Sequence, residues 1–363
     1  MFCFRSPPVL LVAVSLLAGC EERSPEALAP EGMEHESAPA AAIASNVWVR
    51  LADLPTPRIR PAMAAVPRAD GTSRLFAIAG GLRKTRVRGD DTIVYSVPVG
   101  TVTEYVPATN RWVRRADAPY VWRVVPEAAV LNGKIYMPGG LEGTGEDRYA
   151  INTMAVYTVA TDSWSAVGMP QYMTAQTAWA TNGMLYVLGR CFDTDTEDID
   201  DYGIDCDSSG APESFLLRYN PPTNTWTYLP RPTVQSRYNP VSGSLGGKVY
   251  VTAGGAAALD AYDPGTGGWR GWQPLPRARS GAAGDAVKGG LYVVGGWMLK
   301  SDGTWGVSRA TSEYNPATNT WVNRAQVPEL FEWNGVSAAR VVIGGQARLA
   351  VIGGFGHHYQ WAP

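Results

Sequence analysis

Arginines and aromatic residues recur a short distance past a series of tryptophans. They are Arg58 and Arg60 after Trp48, Tyr120, Trp122 and Arg123 after Trp112, and Tyr172 and Gln176 after Trp164. Arg237, Tyr238 and Asn239 follow Trp226, Arg277 and Arg279 follow Trp269, and Trp333 and Asn334 follow Trp321. A guanidinium is a planar double donor for a carboxylate, and an aromatic ring stacks on the apolar face of a sugar or peptide. The chemistry on offer is recognition of anionic ligands. The alternative role for the same arginines is structural, holding backbone carbonyls or buried carboxylates of neighbouring elements. Carboxylates available for acid/base work are Glu127, Glu213 and Glu332, none of them fixed by a motif. Asp193-x-Asp195-x-Glu197 presents alternate hard oxygens that suit Ca²⁺. It lacks the glycine of an EF-hand loop, and a solvated acidic stretch is its other reading. Cys191 and Cys206 bracket that stretch and are expected to pair in an oxidising compartment.

Composition narrows the class. The chain has 363 residues with a formal charge of −2, so no basic field is present to hold nucleic acid. Three His and four Cys nearly exclude a zinc cluster. Forty Gly and 27 Pro suit many short elements joined by tight turns, and 13 Trp and 17 Tyr favour strands.

The elements that must position these residues are repeats. Apolar runs end in glycine doublets at Gly80-Gly81, Gly139-Gly140, Gly254-Gly255, Gly295-Gly296 and Gly353-Gly354, with a degenerate member at Gly189-Arg190. Turns such as Asn132-Gly133 and Gly289-Gly290 precede them, so each unit opens with a hairpin of strands A and B. A Tyr and a Trp follow, always seven apart: Tyr105/Trp112, Tyr157/Trp164, Tyr219/Trp226, Tyr262/Trp269 and Tyr314/Trp321. These mark a second hairpin, strands C and D. Four strands per unit is the arithmetic of a propeller blade. The chain stops at Trp361-Ala362-Pro363, which aligns with strand C, while Asn46–Pro55 parallels the strand-D segment Asn319–Pro328. The N-terminal strand is therefore expected to complete the last blade, closing a ring that would otherwise leave open edges.

This pattern over residues 46–363 resembles the kelch repeat. The resemblance implies an all-β, six-bladed kelch β-propeller. It also implies that the D–A and B–C loops emerge on one face, so the Arg and aromatic residues above would ring a channel mouth. Pro57-Arg58-Ile59-Arg60 and Pro276-Arg277-Ala278-Arg279 look like the ligand-facing segments of kelch-type adaptors. The function implied is a ligand- or protein-binding module. The copper chemistry of galactose oxidase would need two separated His, whereas the only domain candidates, His357 and His358, are adjacent. The enzyme alternative is epimerisation of an acidic sugar such as N-acetylneuraminate, with one of the three Glu and an Arg. No cofactor is expected beyond the Ca²⁺ candidate.

The N-terminus reads as an address. Residues 1–19 carry one early Arg and an apolar run too short to span a bilayer, ending in Leu17-Ala18-Gly19-Cys20. This resembles a bacterial lipoprotein signal, which implies lipidation at Cys20 and a place in the cell envelope. Glu22 rather than Asp points to the outer membrane. Residues 20–45 are rich in Glu, Pro, Ala and Ser and read as a disordered tether.

Overall fold

The computed structural model describes residues 46–88, 91–119, 127–144, 147–190, 214–232, 239–328, 336–353 and 357–362. The expected leader, Cys20 and tether lie outside the described residues. Among the described residues, no helix is long and apolar enough to cross a membrane. Regular structure there is strand apart from one 3-10 turn at Pro107–Thr109.

Each repeat folds as four antiparallel strands. The first set is Ala62–Pro67, Ser73–Ile78, Val102–Val106 and Arg111–Arg115. Two later sets are Pro240–Leu245 to Gly268–Trp272 and Ala283–Val287 to Thr320–Arg324. The last set takes strands A to C from Ser337–Ile343, Gln346–Gly353 and His357–Ala362, and its outer strand from Val47–Leu51. Trp48 there faces Trp361.

The second and third repeats form one eight-stranded sheet instead of two. The strand Ser163–Thr181 runs unbroken from the outside of one set to the inside of the next. The cause lies at the degenerate doublet. At Gly139-Gly140, Gly254-Gly255 and Gly295-Gly296 both doublet glycines take positive φ, 63° and 79° in the last, while at Gly80-Gly81 positive φ falls on Ala79 and Gly80; a Cβ on Gly296 would sit 2.6 Å from the Ala282 nitrogen. That left-handed kink ends strand B and lets the incoming chain pass close by. Gly189-Arg190 has no kink, so strand B continues and pairs Thr174 with Arg190 and Ala175 with Gly189.

The A–B turns have the geometry expected of two-residue hairpins, with φ of 50° and 71° at Asn132-Gly133 and 57° and 73° at Gly344-Gly345. The turn assigned to Gly289-Gly290 sits one residue earlier, on Lys288-Gly289 (46° and 84°).

The Tyr and Trp of each repeat stand directly opposite each other on strands C and D. Seven-residue spacing is what a tight hairpin needs to bring them face to face, and their ring centroids lie 4.7 to 5.3 Å apart. Each strand-D indole then donates to a carbonyl of the preceding set. Trp112 reaches Ala52, Trp164 Ala116, Trp226 Gly168, Trp269 Pro230, Trp321 Gln273 and Trp48 Ala325, at 2.8 to 2.9 Å. A left-handed Asn or Asp in the C–D turn adds a second tie. Asn110 Oδ1 accepts both the Tyr105 hydroxyl and the Ala52 amide, and Asp162 and Asn319 repeat this. Strand residues alternate between two buried faces. Phe76 and Ile78 pack with Ile135 and Met137, whereas Leu75 and Ala77 pack with Val341 and Ile352. Burial on both faces explains why the B strands read as continuous apolar runs.

Candidate functional site

The A strands, rich in Ala, Gly and Ser, line a cavity of about 980 Å³, with Ala64, Ala129, Trp179, Ser242, Asp285 and Ala338 in its wall. Small side chains keep the cavity open. Three segments that lead into A strands meet at one end of it. The Asn239 amide, oriented so that its oxygen faces Arg60, accepts from both guanidinium Nη atoms at 2.7 and 3.3 Å. Arg60 and Asn239 each take φ of 50° immediately before a proline. A bulky residue is rarely held in the left-handed region, and such strain clusters at functional sites. Glu127, which lines the cavity, is the third member. It is only half-buried by surface, yet enclosure by the cavity wall pushes its carboxyl up to about 8, against the pull of the Arg60 charge. It is therefore protonated at neutral pH and can donate or surrender a proton beside a cation.

Further in, Asp285 accepts the Ala286 and Arg340 amides at 2.6 and 2.7 Å. Burial nevertheless raises its pKa above the usual carboxylate range. The Thr177 and Ser242 hydroxyls lie 2.5 Å apart across two neighbouring A strands. Asp285 escaped the sequence reading. Its only signal is a lone carboxylate in the otherwise small Gly281-Ala282-Ala283-Gly284-Asp285-Ala286.

Arg58 and Arg279, expected to face a ligand, do not. They are 1% and 3% exposed. Arg58 donates to the carbonyls of Ala77, Ala79 and Thr101 and to the Thr103 hydroxyl. Arg279 donates to the carbonyls of Val293 and Ala310 and to the Ser312 hydroxyl. Both guanidiniums tie strand B to strand C just before the glycine doublet. Desolvation lowers each pKa to about 10, still far above neutrality, so each remains a cation held through its Nη groups by carbonyl dipoles, while its buried Nε has no hydrogen-bond partner. Gln176 is also buried and accepts the Ser214 hydroxyl at 3.1 Å. Arg277 and Tyr172 are exposed. Tyr120, Trp122, Arg123, Arg237, Tyr238 and Trp333 lie outside the described residues, as do Glu213, Glu332, Asp193, Asp195, Glu197, Cys191 and Cys206. Among the described residues, no group of three or more His, Cys, Asp or Glu is placed to hold a metal ion.

No family model matches the chain. Kelch-like protein 30 of Homo sapiens is 24% identical over 271 residues, which is 66% of this chain and 46% of that protein. Kelch-like protein terF of Aspergillus terreus is 28% identical over 238 residues, 62% of this chain and 50% of that protein. The chain thus spans about half the length of these curated relatives. The solved structure of YjhT matches with a TM-score of 0.60 at 16% identity, over 85% of this chain and 95% of that one, a likeness of fold. Glycine-doublet hairpins, cross-strand Tyr–Trp pairs and the likeness to these relatives together support a kelch-repeat family for the chain.

Proposed function

We propose that the chain is a six-bladed propeller, closed by Val47–Leu51, that binds an anionic ligand at the Arg60 mouth. Ring closure is supported by the six indole bonds, each of which joins a set to the one before it, including Trp112 to Ala52 and Trp48 to Ala325. The A strands also touch in succession, and Ser337–Ile343 returns to Ala62–Pro67. Kelch-repeat proteins generally bind protein partners, which supports a binding role. The observation that carries the reading is Arg60 itself. Unlike Arg58 and Arg279, its guanidinium leaves its own set to meet Asn239 of another repeat, near the Glu127 carboxyl that lines the cavity. Tyr238 and Trp333 share the offset from the strand-D Trp that brings Arg60 there, and Tyr120, Trp122, Arg123, Arg237 and Arg277 lie on the same loops; together they are proposed as the rest of the rim. Lipid anchoring at Cys20 and an outer-membrane location rest on the Leu17-Ala18-Gly19-Cys20 leader.

Titration calorimetry with N-acetylneuraminate as the anionic probe tests the mouth. Arg60→Ala is expected to weaken binding by about 2–5 kcal/mol. Unchanged affinity in that variant, or no binding of any acidic sugar or acidic peptide to the native protein, defeats the assignment.

Glu127 favours a second reading, proton transfer on an acidic sugar. A carboxyl with its pKa near 8 can act as either acid or base at neutral pH. Faster exchange between anomers of the probe, seen by NMR and lost in Glu127→Gln, would convert the binder into an epimerase.

A further inference from the structure

Buried polar groups without partners gather on one face of the last set. His358, Gln360 and Arg348 are 0%, 2% and 4% exposed. Neither ring nitrogen of His358 has a hydrogen-bond partner, nor does Gln360 Nε2 or Arg348 Nε. His358 and Gln360 are two apart on strand C, and Arg348 precedes Leu349, which faces Trp361. Strand alternation therefore puts all three on the side of Ala350 and Ile352, the side that packs against Leu75, Tyr105 and Trp112 of the first set. The His358 ring lies 4.8 Å from Tyr105 and 5.3 Å from Trp112.

The first set, alone among the sets, fills this register with an arginine and a carboxylate. Leu75 faces Tyr105 there as Leu349 faces Trp361 here, so Arg74 corresponds to Arg348 and Glu104 to Gln360. Glu104 is 2% exposed and accepts Arg74 Nε and Nη2 at 2.6 and 2.7 Å and Arg115 Nε at 2.8 Å. The Arg74 guanidinium also lies over the Phe76 ring at 5.3 Å. In the last set an amide replaces the carboxylate and Ala350 replaces the ring. The buried Arg348 Nε is left without a partner, and the small Ala350 stands where Phe76 stands in the first set. A buried cation without a counter-charge is costly, and a buried amide N–H without an acceptor adds to that cost.

We propose that this seam takes up a small carboxylate of formate or acetate size, held by Arg348 and the Gln360 amide as Glu104 is held by Arg74. The near-complete burial of both groups selects a free small anion over a side chain from a partner, which would have to part the two sets to reach them. His358 does not compete as a second cation. Burial brings its pKa down to about 3, against the raising influence of the Ala52 backbone and the Asp53 carboxylate. The Ala52 carbonyl already accepts the Trp112 indole and makes no sound hydrogen bond to the imidazole.

The test compares formate with chloride at constant ionic strength, read by the melting temperature of the full chain and by the ¹³C-formate linewidth. Native protein is expected to gain stability with formate in a saturable way and to broaden the formate signal. Gln360→Glu supplies the carboxylate from within, so it is expected to melt higher without formate and to lose the formate response. Arg348→Met is expected to lose the response and the broadening. Equal melting in formate and chloride, with no broadening, means that water fills the seam and overturns the proposal. A formate gain of the same size in both variants overturns it as well.

Discussion

Arg58 and Arg60 are two residues apart, chemically identical and one turn of chain from the same strand, yet they belong to different parts of the molecule. Arg58 is part of the frame, its Nη donors spent on strand-end carbonyls of its own set. Arg60 spans the mouth to an asparagine from another repeat. The difference is one of reach. Ten residues past the strand-D tryptophan, at Arg58 and again at Arg279, the chain passes over the ends of strands B and C, where carbonyls lack sheet partners. Two residues further on, at Arg60, it has turned away to meet Asn239. Similar strings, Pro57-Arg58-Ile59-Arg60 and Pro276-Arg277-Ala278-Arg279, are therefore out of step by two, with Arg58 matching Arg279.

The sharpest way to break this division is to attack the frame. Deleting residues 46–55 removes the outer strand of the last set together with the Trp48 and Ala52 ties to its neighbours. The expected loss is about 3–5 kcal/mol, the cost of truncating a Trp, since Trp48 is partly buried and its strand pairing is lost with it. A chemical denaturation midpoint close to that of the intact chain would show that these ties matter little. Arg58→Ala and Arg279→Ala come next. Each leaves several buried acceptors without a donor, at about 1–3 kcal/mol per group, so about 3–5 kcal/mol is expected in urea unfolding. Arg60→Ala should move the same midpoint by less than about 0.5 kcal/mol. Equal effects from Arg58 and Arg60 would erase the distinction between frame and mouth.

Two pH dependences sharpen the contrast further. His358 belongs to the frame, and its folded-state pKa of about 3 lies below the ordinary 6.5. The unfolded chain thus binds a proton that the folded chain refuses. The stability is complete above about pH 6.5 and falls as the pH drops toward 3, by at most about 1.4 kcal/mol per unit. Asp53 and Tyr105 are the titratable groups facing the ring. In urea midpoints measured from pH 7 to 4, His358→Phe should remove this part of the slope. Glu127 belongs to the mouth, and its shift runs the other way. Binding of an anion should weaken as the pH rises through about 8, roughly tenfold per unit beyond it, as Glu127 ionises and cancels the Arg60 charge. Glu127→Gln should bind without that pH dependence, and a native-like profile in that variant removes Glu127 from the site.

Much of the frame could be read from the sequence because it repeats. The seven-residue Tyr–Trp spacing implies a tight hairpin, and each pair is found face to face. The match of Asn46–Pro55 to Asn319–Pro328 identified the outer strand of the last set, and Val47–Leu51 indeed pairs with His357–Ala362. The merged sheet could not be read, although its cause, Arg190 in place of a glycine, was visible. The mouth was less legible because it departs from repetition. Nothing in the string separates a buried Arg58 from a spanning Arg60. The choice depends on which carbonyls lie beneath the chain, and that is settled only by three-dimensional register. The Arg348–Gln360 mismatch likewise becomes visible only once Leu349 is known to face Trp361 as Leu75 faces Tyr105.

The tie between Trp48 and Ala325 has a consequence in time. Its partners are 277 residues apart, and the Asn46 tie to the Ala325 amide spans 279. A ribosome making about 5–20 residues per second needs on the order of 15–60 seconds to bring the second partner out after the first. Throughout that interval the repeats between can fold against each other, each on contacts already made, while Val47–Leu51 has no sheet to join. It is made before the strands it joins and is placed after them. Assembly of this domain is therefore a wait followed by a capture, and any factor that shields a short apolar strand during the wait should raise the yield of folded protein without changing its final stability.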